Sequence, residues 1–270
     1  MNRFLRLFRL GNGVMGILGV VIGAFIAVGF SIGDHVLNLI ISSAVVLAFI
    51  AGGNSINDYI DIEIDRTAHP KRPLPTGEIA PSTALVIGVS GLAIASLLSV
   101  LMMSVLVTAI VIIAAFLMVS YELFLKQRGF AGNIVIAVLT GMIFLFGGAV
   151  AGNIEGNFII AAMAALVSVG REIAKDIQDM GSDEGRRTLP MTIGVKRASA
   201  VAAVFFVLGP VLSIWPLLDG MFGWLYCVVF VADAIFIYSA FIIFRKADVS
   251  QKTAKFAMLI ALIAFVLGVI

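Results

Sequence analysis

The sequence predicts an all-α integral membrane protein. It reads as one bundle of nine transmembrane helices around a central cavity, with the amino terminus on the cytoplasmic side. Three observations lead there. Hydrophobic residues make up 61% of the 270-residue chain and charged ones 13%, with a mean hydropathy of +1.13; that is too little polar surface to cover a soluble protein. The apolar runs are long enough to cross a hydrocarbon core, which takes about 20 helical residues. The cationic side chains, finally, fall on alternate connections only.

Residues 1–10, MNRFLRLFRL, place Arg3, Arg6 and Arg9 at three-residue spacing among Phe and Leu, an amphipathic segment suited to the membrane interface. The apolar run behind it, to about residue 32, spans a membrane and shows no small-residue cleavage site, so it reads as a retained first span rather than a signal peptide. Further spans are predicted at about 36–56, 82–103, 104–121, 131–151, 158–175, 198–215, 221–244 and 253–270. The uncharged run 79–121 is far too long for one crossing and must hold two helices and a tight turn. With the amino terminus inside, all 18 Lys and Arg lie on inward segments, while the outward turns carry only Asp34, His35, Glu155 and Asp219. Residues 1–270 therefore form a single multi-pass domain. The lone Cys227, in an apolar run, excludes an intrachain disulfide and a cysteine metal cluster.

The informative polar stretch is 54–77, NSINDYIDIEIDRTAHPKRPLPTG. On a helix at about 100° per residue, Asn54, Asn57, Asp58, Asp61 and Asp65 fall within one wedge of about 100°, and Glu63 points the other way. A row of hard oxygens on one face suits Mg²⁺. The basic segment behind it, with His69, Lys71 and Arg72, suits an anion carried on that metal. A second stretch, 171–194, repeats the pattern: Glu172, Asp176, Asp179 and Asp183 lie within roughly 60° of one another, with Lys175 alongside. Each stretch leaves the inner end of a span and runs into a basic pair and a Leu-Pro turn, Lys71-Arg72 in one and Arg186-Arg187 in the other. Solvated loops would also be charged, but would not gather their acids on one face twice. So many acidic groups converging without a cation would repel one another.

Two acidic faces with flanking Lys and Arg, and no Cys or His ligand set, point to Mg²⁺ bridging a phosphorylated substrate. His35 and His69 fall on opposite predicted faces, which disfavours zinc. A cation-coupled transporter would place its acids near mid-membrane, where only Asp233 lies here. That buried acid is either functional or an interhelical hydrogen-bonding group, and Asn133 packs or bonds between helices. A CDP-alcohol phosphotransferase would carry one D-x-x-D-G…D-x-x-x-D helix pair rather than two distant motifs. Membrane enzymes that use Mg²⁺ and a diphosphate include prenyl transferases, in which metal and basic residues stabilise the departing diphosphate.

Over nearly its full length the chain resembles the UbiA-type intramembrane prenyltransferases. The resemblance rests on Asn57-x-x-x-Asp61-x-x-x-Asp65 and Asp179-x-x-x-Asp183, the second extended upstream by Asp176, inside a nine-span pattern. It implies that these residues coordinate Mg²⁺ on an allylic diphosphate, with Asn54 and Asp58 beside the metal or one shell behind it. Asp61 and Asp179 would then act in catalysis through the metal. Arg72, Lys71 and Lys175 are the implied diphosphate ligands, and Tyr121 and Lys126 match a family region that contacts the same group. Arg9 and Asn12 correspond to an Arg-Pro-x-Asn sequence of relatives, here without its Pro. The stretches GGNSINDYIDIEIDR, HPKRPLPTGEIAP, GNIVIAVLTGMIFLFGGA and REIAKDIQD look most like the archaeal ether-lipid branch. Arg171, where some aromatic prenyltransferases carry Tyr, agrees. That branch implies geranylgeranyl transfer from geranylgeranyl diphosphate to the hydroxyl of geranylgeranylglyceryl phosphate, with Arg171, Arg186 and Arg187 on the acceptor phosphate. An aromatic acceptor is the alternative within the family. The partners implied are a prenyl diphosphate and a lipid phosphate, with no nucleic-acid or protein partner. For the hydroxyl proton, a motif Asp and the departing diphosphate are the two candidate acceptors.

Overall fold

The structure, a computed structural model, describes residues 2–181 and 187–270; Asp183 and Arg186 lie outside the described residues. Among those described, every regular element is helical. In chain order they are α1 (Arg3–Phe8), α2 (Leu10–Val28), a 3-10 turn (Gly29–His35), α3 (Val36–Ile60), α4 (Ile62–Ala68), α5 (Pro81–Leu101) and α6 (Val105–Ser120), which runs on as a π-helical turn (Tyr121–Leu125). The second half holds α7 (Phe130–Val150), α8 (Asn157–Asp179), α9 (Leu189–Ile193), α10 (Val195–Ser213), α11 (Trp215–Leu218), a 3-10 turn (Trp224–Val228), α12 (Val229–Ile242) and α13 (Ala247–Val269).

Eight helical segments among the described residues are long and apolar enough to cross a membrane, where the sequence predicts nine. The difference lies in the first, Leu10–Ile60. Its 51 residues would extend roughly 77 Å as one straight helix, more than twice a hydrocarbon core. It doubles back instead: a Cβ on Gly13 would sit 2.8 Å from the Leu47 side chain and one on Gly16 2.7 Å from Val46, so α2 and α3 lie side by side across the Gly29–His35 turn. The long uncharged run does hold two helices, α5 and α6. They part where Met103 adopts a left-handed φ of 52° and the Ser104 hydroxyl accepts from the Val107 N–H, capping α6. Large apolar side chains stay exposed on the outside, among them Val86, Leu97, Phe116, Phe241 and Phe256, the surface expected of a chain solvated by lipid.

Helices in lipid gain little from the hydrophobic effect between themselves, so close backbone approach carries their packing. At the α3–α5 contact, a Cβ on Gly91 would meet the Ala48 carbonyl oxygen at 2.7 Å and Gly52 Cα at 2.8 Å, both backbone atoms that cannot swing aside. Gly91→Ala should therefore separate the two helices and destabilise the fold by about 1–3 kcal/mol, seen as a lower melting temperature in detergent. An unchanged melting temperature would mean that α5 is held elsewhere.

Two packed clusters build the halves of the bundle. Val20, Val45, Ala95, Val107 and Phe146 join α2, α3, α5, α6 and α7. Ile173, Phe206, Phe236 and Ala254 join α8, α10, α12 and α13. A third cluster, with Phe144, Met163, Tyr226 and Phe265, ties the halves together. The segment predicted to lie in the interface, α1, caps the first half: Leu7 is buried with Leu74, Ile79 and Ala84, and Arg6 pairs with Glu78. That hydrogen bond from Arg6 holds the Glu78 carboxyl below its usual range.

Candidate active site

A cavity of about 1190 Å³ lies between the two halves, larger than the roughly 300–1,000 Å³ common for small-molecule sites. Its first wall is the α3–α4 joint. The sequence reading takes 54–65 as one helical face, whereas α3 ends at Ile60 and α4 begins at Ile62. The Asp61 N–H still donates to the Asn57 carbonyl and the Asp65 N–H to the Asp61 carbonyl, so the ladder crosses the joint and the four-residue registry survives. Asn54, Asn57, Asp61 and Asp65 all line the cavity. Asp58, at the edge of the wedge, does not: it is buried beside the cavity and paired with Arg9, with Arg72 3.6 Å away.

Arg9 itself lines the cavity and holds a left-handed φ of 52° between α1 and α2, a conformation costing an L-residue roughly 1–2 kcal/mol. Its ion pair with Asp58 offsets that cost. Asn12 follows it into the cavity. The Asn54 amide donates to the Phe8 carbonyl, tying the first motif to α1.

Behind the first motif lies a closed polar network. Lys126 Nζ donates to Asp61 Oδ1 and to Glu122 Oε2, both at 2.7 Å, and the Asn57 amide donates to Asp61 at 3.2 Å and to Glu122 at 3.1 Å. The π-helical turn arranges this. Its i→i+5 bond, from the Lys126 N–H to the Tyr121 carbonyl, inserts an extra residue; Tyr121 and Glu122 line the cavity while Lys126 is buried behind them. Arg72 Nη1 donates to both oxygens of Asp65, at 2.7 and 2.6 Å. The opposite wall is the inner end of α8, where Arg171, Glu172, Lys175, Gln178 and Asp179 line the cavity and Arg171 donates to Glu172 at 2.6 Å.

Asp176 lies off the cavity lining and accepts from the Asn133 amide of α7 at 2.9 Å, so it braces α8 against α7. Lys71 and Arg187 are exposed and outside the lining. In the buried interior, Asp233 lines the cavity and accepts from the Ser213 hydroxyl at 2.7 Å, an α10–α12 hydrogen bond. Sequence reasoning missed Glu122, whose i, i+4 relation to Lys126 was the available signal. It also missed Lys255 of α13, which lines the cavity from a helix with no motif.

The donors fit a hard divalent cation: the Asn57 amide oxygen and the carboxylates of Asp61 and Asp65 on one wall, and those of Glu172 and Asp179 on the other, are all hard oxygen ligands. Among the described residues, no three acidic or His side chains converge closely enough to hold a metal by themselves. Mg²⁺ does not require that, since it binds through one or two carboxylates together with substrate phosphate oxygens and water.

The family comparison decides the class. Residues 16–264 match the UbiA prenyltransferase family. The chain belongs to that family. It is a membrane prenyltransferase, similar along nearly its whole length to proteins named digeranylgeranylglyceryl phosphate synthase. That of Natronomonas pharaonis is 38% identical over 266 residues, covering 97% of this chain and 95% of the relative. That of Methanosphaera stadtmanae is 34% identical, with 99% of each covered. A solved structure concerned with digeranylgeranylglyceryl phosphate synthase in membranes superposes with a TM-score of 0.84 at 33% identity, covering 99% of this chain and 97% of the other. A UbiA homologue from Archaeoglobus fulgidus, solved with GPP and Mg²⁺, shares the fold with a TM-score of 0.76 at 18% identity, covering 99% and 98%.

Proposed function

We propose that this UbiA-family enzyme transfers a geranylgeranyl group from geranylgeranyl diphosphate to the hydroxyl of geranylgeranylglyceryl phosphate, releasing diphosphate, in archaeal ether-lipid synthesis. The observation that carries the reading is one large cavity with oxygen donors and cations at one end and apolar side chains below. The names of its full-length relatives support the choice of substrates. Residues 1–270 act as one domain. The amino terminus and active site face the cytoplasm at the cell membrane, a placement supported by the one-sided distribution of all 18 Lys and Arg.

Asn57, Asp61 and Asp65, with Asp179 opposite, would hold Mg²⁺, which supplies charge neutralisation for the diphosphate as its bond to carbon breaks. Asp183, the last residue of the second motif, would join them at the metal, while Asp176 remains with Asn133 of α7. Arg72 and Lys175 bind the diphosphate oxygens from the two walls, and Arg9, Asn12 and Tyr121 close the site around them. The C1–O bond of the donor breaks with its electron pair going to diphosphate. The acceptor oxygen then bonds to C1, and its proton passes to the departing diphosphate or a motif carboxylate. Ile143, Met163, Val167 and Phe265 line the cavity with hydrocarbon, which keeps bulk water from the allyl cation. Arg171, which lines the cavity beside Glu172, takes part in holding the acceptor phosphate.

Radiolabelled transfer in detergent tests this directly. With labelled geranylgeranyl diphosphate and Mg²⁺, labelled diether phosphate should form from geranylgeranylglyceryl phosphate, disappear with EDTA and return with added Mg²⁺. Product only from 4-hydroxybenzoate would overturn the acceptor, and product that survives EDTA would overturn the metal.

A further inference from the structure

Helix α13 lends the cavity a face that no motif marks. Lys255, Met258, Leu262 and Phe265 all line it, at spacings of three and four residues that stack on one side of a helix. A cation thus stands at one end of an apolar stripe. Across the cavity α8 repeats the arrangement, with Arg171 at the polar end and Met163 below. Met163 and Phe265 belong to the same packed cluster, which gives the two stripes a common floor. Counted from that floor at 1.5 Å per residue, Lys255 stands about 15 Å up α13 and Arg171 about 12 Å up α8. The two cations therefore flank the cavity at similar height.

Charge pairing singles out Lys255 further. Of the Lys and Arg side chains on the cavity, Arg9 pairs with Asp58, Arg72 with Asp65 and Arg171 with Glu172. Among the described residues, Lys175 and Lys255 have no carboxylate partner. Lys175 lies one helical turn before Asp179 in the second acidic stretch, and the transfer reading above gives it to the diphosphate. Lys255 stands on α13, a helix that belongs to neither motif, above a stripe of hydrocarbon. A solvated lysine would need no such stripe beneath it, whereas an amphiphile with an anionic head and an apolar tail matches both parts.

We propose that Lys255 is a specificity-determining residue that binds the phosphate of the lipid acceptor, with the acceptor's chain lying along the Met258–Phe265 face of α13. The inference rests on the transfer reading above and assigns the third wall of the site. The donor keeps the wall of α3 and α4, and the acceptor's hydroxyl is presented to it from the α13 side.

Steady-state kinetics of the purified full-length enzyme test it, with geranylgeranylglyceryl phosphate and the phosphate-free geranylgeranylglycerol as alternative acceptors. Lys255→Ala should raise KM for the phosphorylated acceptor about tenfold, Lys255→Glu should raise it further, and Lys255→Arg should restore most of it. The KM for geranylgeranyl diphosphate should change much less. With the phosphate-free acceptor the wild type should lose its advantage over Lys255→Ala. An unchanged acceptor KM in Lys255→Ala overturns the proposal, as does an equal loss with both acceptors. Lys255 is exposed, so these variants should fold, and an unchanged melting temperature checks that they do. A wild type that uses neither acceptor fails the transfer reading itself and takes this inference with it, an outcome separable from the others because it appears with the wild type alone.

Discussion

Lys126→Met should destabilise the protein by about 3–5 kcal/mol, the usual cost of removing one partner from a buried ion pair. The side chains of Lys126, Asp61 and Glu122 are 3%, 6% and 3% exposed. The ammonium donates to both carboxylates at 2.7 Å. Met preserves much of the volume but leaves two acids facing each other where little water reaches them. The Asn57 amide, which donates to both, is too weak to replace a full positive charge. Thermal unfolding in detergent measures the loss. The double variant Lys126→Met/Glu122→Gln should recover part of it, because one of the opposed charges is gone. A single variant that melts with the wild type would show that the network contributes nothing to the fold. Transfer activity should fall as well, since Asp61 and Asn57 take their orientation from Lys126 and Glu122.

Asp61→Asn and Asp179→Asn should each cut kcat for transfer roughly 10²–10³-fold, the scale seen when one group that stabilises developing negative charge is removed. Asn keeps the size of each side chain and much of its hydrogen bonding, and Lys126 retains Glu122 as a partner, so the fold should persist. The two residues lie on opposite walls, Asp61 at the α3–α4 joint and Asp179 at the end of α8. If both serve the same metal–diphosphate unit, their effects will not add, and the double variant should be little worse than the poorer single one. Single-turnover transfer of labelled geranylgeranyl at saturating Mg²⁺ reads this. Full activity in either single variant would remove that residue from the metal site, and strict additivity would mean that the two acids act on different groups.

Much of the first motif is legible in the amino-acid sequence alone, because helical registry is local. Asn57, Asp61 and Asp65 keep their four-residue spacing through the break after Ile60, since the backbone bonds across it preserve the turn. The same periodicity places Asn54 and Asp179 on the faces that line the cavity, and Arg72, Lys175 and Arg171, expected from the flanking basic residues and the resemblance, line it as well. It fails at the edges of each wedge. Asp58 turns into a buried pairing with Arg9, and Asp176 turns toward Asn133 of α7. A helical wheel gives relative angles, and only the neighbouring helices set which angle points into the cavity.

The sequence by itself determined the membrane class, the helical bundle, the two acidic faces and the oxygen chemistry they bring. Each of these follows from composition or from contacts within a few residues of chain. Only the tertiary structure decided that Lys126 joins Asp61, 65 residues away along the chain, to Glu122, and that Lys255 on the last helix shares the cavity. A lysine near a helix end looks the same in sequence whether it faces water or a ligand. Distant segments must fold against one another to set it above the apolar stripe of α13, on the cavity and with no carboxylate partner among the described residues.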